Sequence, residues 1–298
     1  MKDRVEGISL ALLAVLCFSV TLPATRIAVP QLGPEFIGFG RGVVAGLIAL
    51  CVVLITREPL PERCHWKGIA IVSQGVTIGF PLFSAFALRT LPSAHSAVVV
   101  GLLPAATAVM AVLMVGERPP VPFWIASGAG VLAVLLFAAV EGAGHPQFAD
   151  LLLLIATMGG AIGYAEGSRI AKEIGGFRVI LWALVFCLPV LAIPISAVLV
   201  TKGFPHGTTE AWLCFGYVAV ISQFLAFLPW YRGLVLAGVA YTSQLGLIQP
   251  VLTLGWSALI LGERISALTI GAALVVIGCA AATQWTRPNE TEISVESS

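Results

Sequence analysis

Charge is scarce in this chain. Only 10% of its 298 residues are Asp, Glu, Lys or Arg while 58% are hydrophobic, a balance that excludes an ordinary soluble domain, where about a quarter of residues are charged. A net charge of +1 with no cluster of Lys and Arg excludes a nucleic-acid binder, which must neutralise phosphates. Histidine is scarce, and of four only His95 falls inside an apolar run. Paired carboxylates beside a histidine, a Gly-rich phosphate loop and a nucleophile motif are all missing, so no enzyme is expected. The six cysteines (Cys17, Cys51, Cys64, Cys187, Cys214, Cys279) are scattered without a C-x-x-C pair, and read as small core residues rather than disulfides or metal ligands. No cofactor or metal is expected.

What the chain has is long apolar runs, with a mean hydropathy of +1.00. About twenty residues at 1.5 Å rise cross the roughly 30 Å hydrocarbon layer. Ten runs near that length lie at 7–27, 35–56, 68–88, 93–115, 121–140, 150–171, 178–200, 210–232, 238–261 and 267–285, separated by breaks such as Pro30-Gln31-Leu32-Gly33-Pro34 and Arg57 to Lys67. This predicts an all-α integral membrane protein of ten spans. Met1-Lys2-Asp3-Arg4 before an apolar run resembles a secretory signal, but the run continues to Ala24 with no small-x-small cleavage site, and reads as a retained first helix. Short connections make consecutive spans antiparallel neighbours. With the N-terminus in the cytoplasm, eleven basic residues fall inside and four (Arg26, Arg89, Lys202, Arg264) outside, so both termini are predicted cytoplasmic.

One unit is used twice. Ala94-His95-Ser96-Ala97, Pro104, Thr107 and Gly116-Glu117-Arg118 return as Ala240-Tyr241-Thr242-Ser243, Pro250, Thr253 and Gly262-Glu263-Arg264, with equal spacing from proline to Gly-Glu-Arg. Thr25-Arg26-Ile27-Ala28 returns as Ser168-Arg169-Ile170-Ala171, and Trp66 as Trp212. The halves are residues 1–144 and 145–286, five spans each, with 287–298 a disordered cytoplasmic tail. An odd number of spans per half inverts the second copy in the membrane, the pattern of secondary transporters whose site lies between the halves.

Pro104 and Pro250 fall inside spans 4 and 9, where each frees a carbonyl one turn earlier, at Val100 and Gly246; a kink lining a cavity and a kink with no binding role are both open. Thr242, Gly246, Gln249, Thr253 and Trp256 share a helical stripe, matched in span 4 by Ser96, Val100, Leu103 and Thr107, with Tyr241 and His95 at the margins. A polar stripe faces water or a neighbouring helix rather than lipid, so solute binding and interhelix hydrogen bonding compete as explanations. Gln249 is the sharpest candidate, because its amide needs several partners. Tyr164, Trp230, Tyr231 and Tyr241 either stack on a solute or anchor the interface. The candidate substrate-lining set is His95, Ser96, Thr107, Tyr164, Trp230, Tyr241, Thr242, Gln244, Gln249 and Thr253. Arg41 and Glu166 are ionisable within spans; each pairs locally, snorkels, or marks a pathway. Gly38-x-x-x-Gly42-x-x-x-Gly46 and Gly159-x-x-x-Gly163-x-x-x-Gly167 read as packing seams. Gly-Glu-Arg reads as a helix stop whose glutamate accepts from the amides of the helix that follows.

These motifs, with Leu-x-Pro and then Gly-Glu-Arg in span 4 echoed as Ile-Gln-Pro and Gly-Glu-Arg in span 9, resemble the drug/metabolite transporter superfamily, EamA branch, over residues 7–285. The resemblance implies an exporter of amino acids and related metabolites across a bacterial inner membrane, through a central cavity lined by spans 1, 3, 4, 6, 8 and 9. Arg41 matches an arginine often found in span 2 of that branch, which favours a structural role for it. Aromatic-amino-acid exporters of the YddG kind are the nearest analogy for the solute. A sugar-phosphate or nucleotide-sugar transporter of the same superfamily is the main alternative, and a non-transporting receptor the lesser one. The expected partners are a small solute and the lipid bilayer, with a monomer sufficient.

Overall fold

The computed structural model describes residues 2–115, 120–141, 147–237 and 245–286, and every element among them is helical. They are α1 (Lys2–Ser19), α2 (Thr21–Leu32), α3 (Pro34–Thr56), α4 (Arg63–Val72), a π-helical segment Ser73–Gly79, α5 (Phe80–Ala87), α6 (Ser93–Val100), α7 (Leu103–Val115), α8 (Val121–Glu141), α9 (Phe148–Ile174), α10 (Gly176–Lys202) and α11 (Thr209–Gly216). A second π-helical segment, Tyr217–Leu225, follows, then α12 (Phe227–Ala237), a 3₁₀ turn Gly246–Ile248, α13 (Gln249–Leu261) and α14 (Ala267–Trp285). Among the described residues, seven stretches are long and apolar enough to cross a membrane: Val5–Leu32, Pro34–Thr56, Arg63–Ala87, Ser93–Met114, Phe148–Ile174, Gly176–Lys202 and Thr209–Gly233. Shorter apolar stretches, Val121–Phe137, Gly246–Leu261 and Ala267–Thr283, fall where spans 5, 9 and 10 are predicted.

The outside of the bundle is apolar: Ile55, Ile193, Val200 and Leu259 are 75–85% exposed, an arrangement unfavourable in water and suited to lipid. Small side chains fill the inside, with Ala11, Ala14, Ala28, Ala45, Ala49 and Ala183 fully buried. Without a hydrophobic drive between helices in lipid, close backbone approach supplies the dispersion energy. The predicted glycine seams do this. A Cβ on Gly163 would come within 2.7 Å of Val76, one on Gly42 within 2.4 Å of Leu191, and one on Gly46 within 2.6 Å of Leu188.

The chain repeats itself in backbone geometry. Gly33 closes α2 at φ 80°, ψ 145° and Gly175 closes α9 at φ 83°, ψ 141°. Each donates its N–H to the carbonyl four residues back and accepts from the amide four residues on. A positive φ at such a joint requires glycine, so one residue suffices to turn the chain. This corrects two predicted breaks. Pro30 sits in the last turn of α2 without ending it, and α9 and α10 run to within one residue of each other.

The two π-helical segments are the second repeated feature. Each ends thirteen residues after its marker tryptophan, Gly79 after Trp66 and Leu225 after Trp212. Packing is crosswise: α1 and α2 lie on α12 and α11, as α9 lies on α5 and α4, while α3 packs on α10, α6 on α13 and α8 on α14. Exchanging the halves maps these contacts onto one another, and the junction of the halves is where the site must be sought.

Candidate functional site

At that junction α3 carries Arg41, only 2% exposed. Its Nη2 donates to Ser222 Oγ at 3.3 Å, in the second π-helical segment, and Ser222 Oγ shares a 2.8 Å hydrogen bond with Thr21 Oγ1 of α2. Nε and Nη1 have no hydrogen-bond partner among the described residues. Tyr164 of α9 is an electrostatic neighbour of the guanidinium. Beside this group, Gln223 Nε2 donates over 3.5 Å to the carbonyl of Thr77. Those two residues stand eleven positions after Trp212 and Trp66, so the halves meet through equivalent positions. A π turn widens the helix and leaves backbone groups out of the regular ladder, which suits a ligand site.

The aromatic wall comes from two predicted positions, Tyr164 and Trp230. Tyr164 packs against two separate apolar clusters and lies 6.2 Å, ring to ring, from Phe227. Trp230 lies 6.2 Å from Phe18. A Cβ placed on Gly246 would be 3.9 Å from both Trp230 and Pro104, so the proline of span 4, the start of span 9 and the tryptophan of span 8 converge.

The prolines do not act as predicted. Span 4 is interrupted at Gly101 and Leu102, whose amides bond back to Ala97 and Val99, and Pro104 is the second residue of α7. Pro250 is likewise the second residue of α13. At that position the missing N–H costs nothing, because the first amides of a helix have no intrahelical acceptor. The Gly246 carbonyl is not left free: it accepts from the Gln249 amide through the 3₁₀ turn.

The stripe on α13 is divided. Thr253 is buried, and its Oγ1 bonds the carbonyls of Ser19 (2.9 Å) and Gln249 (3.0 Å), while Trp256 Nε1 donates to Ser19 Oγ at 2.9 Å. These two residues are engaged in interhelix bonding. The Gln249 side chain is partly exposed and has no hydrogen-bond partner among the described residues. On span 4, Ser96 bonds the Pro92 carbonyl and Thr107 the Leu103 carbonyl, each within its own helix.

His95 belongs to a different group. Its Nε2 meets Asp150 Oδ1 at 2.6 Å, its ring lies tilted with its centroid 4.8 Å from that of Phe137, and Asp150 Oδ2 accepts from the Gln147 amide at 2.8 Å. Asp150 thus caps α9 and holds the histidine in one stroke. Asp150→Ala should lower stability by about 1–3 kcal/mol, the cost of a buried partner left unmade, read as a fall in melting temperature in detergent. Glu166 is buried but paired with Arg169 through two bonds of 2.7 and 3.0 Å, so it is a structural acid at the end of α9.

Glu263 corrects the reading of Gly-Glu-Arg. Gly262 does end α13, at φ 63°, and the following helix is capped by Ser266, which accepts from Thr269. Glu263 instead accepts from Ser93 and Ala94, at 2.8 Å each, at the N-terminus of α6 some 170 residues away. Ser257 Oγ adds a 3.0 Å bond to Ser93 Oγ. Tyr241, Thr242, Gln244, Glu117 and the 287–298 tail lie outside the described residues. Sequence reasoning missed Thr21, Thr77, Ser222, Gln223 and Asp150. The Trp66 and Trp212 register would have exposed Thr77 and Gln223, because both copies carry a polar residue at the same offset.

Residues 5–139 and 147–284 each match the sequence model of the EamA-like transporter family. The chain is 39% identical over 282 residues, 95% of its length and 98% of the relative's, to the uncharacterized transporter YdeK of Bacillus subtilis (strain 168). A crystal structure described only as that of a protein superposes with a TM-score of 0.62, covering 95% of this chain and 98% of its own, at 17% identity, a likeness of fold.

Proposed function

This chain belongs to the EamA-like transporter family, and from that premise we propose that it is a secondary transporter exporting small metabolites, chiefly amino acids and among them aromatic ones. In this reading ten spans form two inverted five-span halves in a bacterial inner membrane, with both termini cytoplasmic. The solute crosses by alternating access through the junction between the halves. The observation that carries it is the polar group at the crosswise junction, Arg41 with Ser222 and Thr21, with Tyr164 as an electrostatic neighbour. Polar groups within a bilayer are costly and persist where a solute or water meets them.

Tyr164, Trp230 and Gln249 line the path in this proposal, with Tyr241, Thr242 and Gln244 completing it. His95, Ser96, Thr107 and Thr253 shape the helices behind them. A phosphorylated solute is disfavoured, because it would call for several buried cations, and Arg41 alone of the described lysines and arginines is buried.

Reconstitution in liposomes tests the reading. Saturable counterflow of at least one radiolabelled amino acid is expected, reduced roughly tenfold in Tyr164→Ala and Gln249→Ala, about 1.4 kcal/mol of lost binding each. No flux of any amino acid, or flux unchanged in both variants, would refute it.

A further inference from the structure

A guanidinium taken out of water needs its five N–H donors engaged, usually by a carboxylate. Four exposed cations of this chain have carboxylate partners, Arg169 with Glu166, Arg178 with Glu58, Lys202 with Glu35 and Arg232 with Glu6, and half-buried Arg26 donates to the Leu88 carbonyl. Arg41 has neither a carboxylate nor a carbonyl acceptor among the described residues. It is the buried one, yet no carboxylate pairs with it among the described residues, and its single bond is a 3.3 Å contact to a hydroxyl already shared with Thr21. Nε and Nη1 have no acceptor among the described residues. A structural arginine would be expected to bring its partner with it.

We propose that the missing partner is the solute: Arg41 is the carboxylate-recognition residue of the transport site, and the transported class is small organic acids whose carboxylate docks on Arg41. The proposal rests on the transporter reading and narrows it. An Arg fork takes a carboxylate through two parallel hydrogen bonds, which fixes orientation as well as charge. Ser222, itself bonded to Thr21, meets one side of the fork. Tyr164, near enough to the guanidinium to interact electrostatically, lies 6.2 Å ring to ring from Phe227, so an apolar or aromatic remainder has a surface to lie on. An unpaired ion in the ligand-free protein is unfavourable for stability, and that cost marks a residue kept for binding.

The test uses the full chain in detergent, with thermal stabilisation and equilibrium binding as readouts. The probes are L-tryptophan, L-phenylalanine and L-leucine, the amide and the decarboxylated amine of each, and 3-phenylpropionate. At least one carboxylate should stabilise the protein, with its amide and amine at least tenfold weaker. Binding of 3-phenylpropionate alongside L-phenylalanine would assign simple carboxylic acids as well as amino acids to the class, and its failure would restrict the class to amino acids. Arg41→Met and Arg41→Gln should melt at or above the temperature of the unliganded parent and lose the ligand-induced shift, and Arg41→Lys should bind weakly. A structural arginine predicts the reverse, a large fall in melting temperature with no selective loss of carboxylates. Should the Arg41 variants fail to fold, that outcome counts against the proposal, and Ser222→Ala supplies the second reading: a several-fold weaker carboxylate is expected, and unchanged affinity overturns the idea. Equal binding of amides and amines with flux intact sinks the role of Arg41 while leaving the transporter. Absence of both binding and flux sinks the two together.

Discussion

A methyl group on Gly75 should leave no folded protein to assay. Gly75 lies in the first π-helical segment, and a Cβ there would stand 2.2 Å from the Gly159 carbonyl oxygen, 3.1 Å from its carbon and 3.2 Å from the Gly163 amide nitrogen. All three are backbone atoms of α9, so no side chain can rotate aside. Overpacking a core costs typically about 1–3 kcal/mol when side chains can give way, and more when they cannot. Relief would require α9 and the π segment to separate, opening the junction between the halves. Gly75→Ala is therefore expected to give aggregated material on size exclusion. Gly128→Ala is the control: nothing lies within 4 Å of its Cβ, and the gain in helix propensity, up to about 1 kcal/mol, should leave the protein as stable or more so. A well-behaved Gly75→Ala would show that the close seam is not needed.

Removing the Glu263 carboxylate should cost nearly as much. It accepts from two amides of α6, Ser93 and Ala94, each at 2.8 Å, and a hydrogen bond to a charged group is worth about 1.5–3 kcal/mol. The anion also faces the positive end of the helix. Glu263→Ala should destabilise by roughly 2–4 kcal/mol. Glu263→Gln, which keeps one carbonyl acceptor, should lose about half as much. Melting curves of the three proteins in one detergent decide this, and equal melting temperatures would remove Glu263 from the account.

Much of the fold could be read from the chain because a bilayer narrows the choices: apolar runs of about twenty residues between breaks have few interpretations. The duplication was legible through Pro104 and Pro250, Trp66 and Trp212, and the paired Gly-Glu-Arg. What was not legible is where a group points across the bundle. Glu263 was expected to cap its own neighbour, a local inference, whereas its partners are in the other half. Thr253 and Gln249 share a stripe, yet Thr253 bonds Ser19 while the Gln249 side chain has no partner among the described residues. Pro104 and Pro250 were placed inside helices because hydropathy does not register a 3₁₀ turn or a two-residue interruption. His95 looked isolated because Asp150 sits at the edge of a run 55 residues on, where an acid reads as a break. Arg41 is visible in the sequence, but its family likeness favours a structural role, and only the lack of a partner for Nε and Nη1 among the described residues points to binding.

The central claim is a wet junction between two crosswise halves, reached in turn from each face of the membrane. Its most direct test is a single cysteine at position 164, Tyr164→Cys, in a chain whose six native cysteines are replaced, probed with a membrane-impermeant maleimide in right-side-out and inverted vesicles. The account predicts labelling from both faces, slowed in each case by a transported solute. Labelling from neither face, or from one face under every condition, would contradict it.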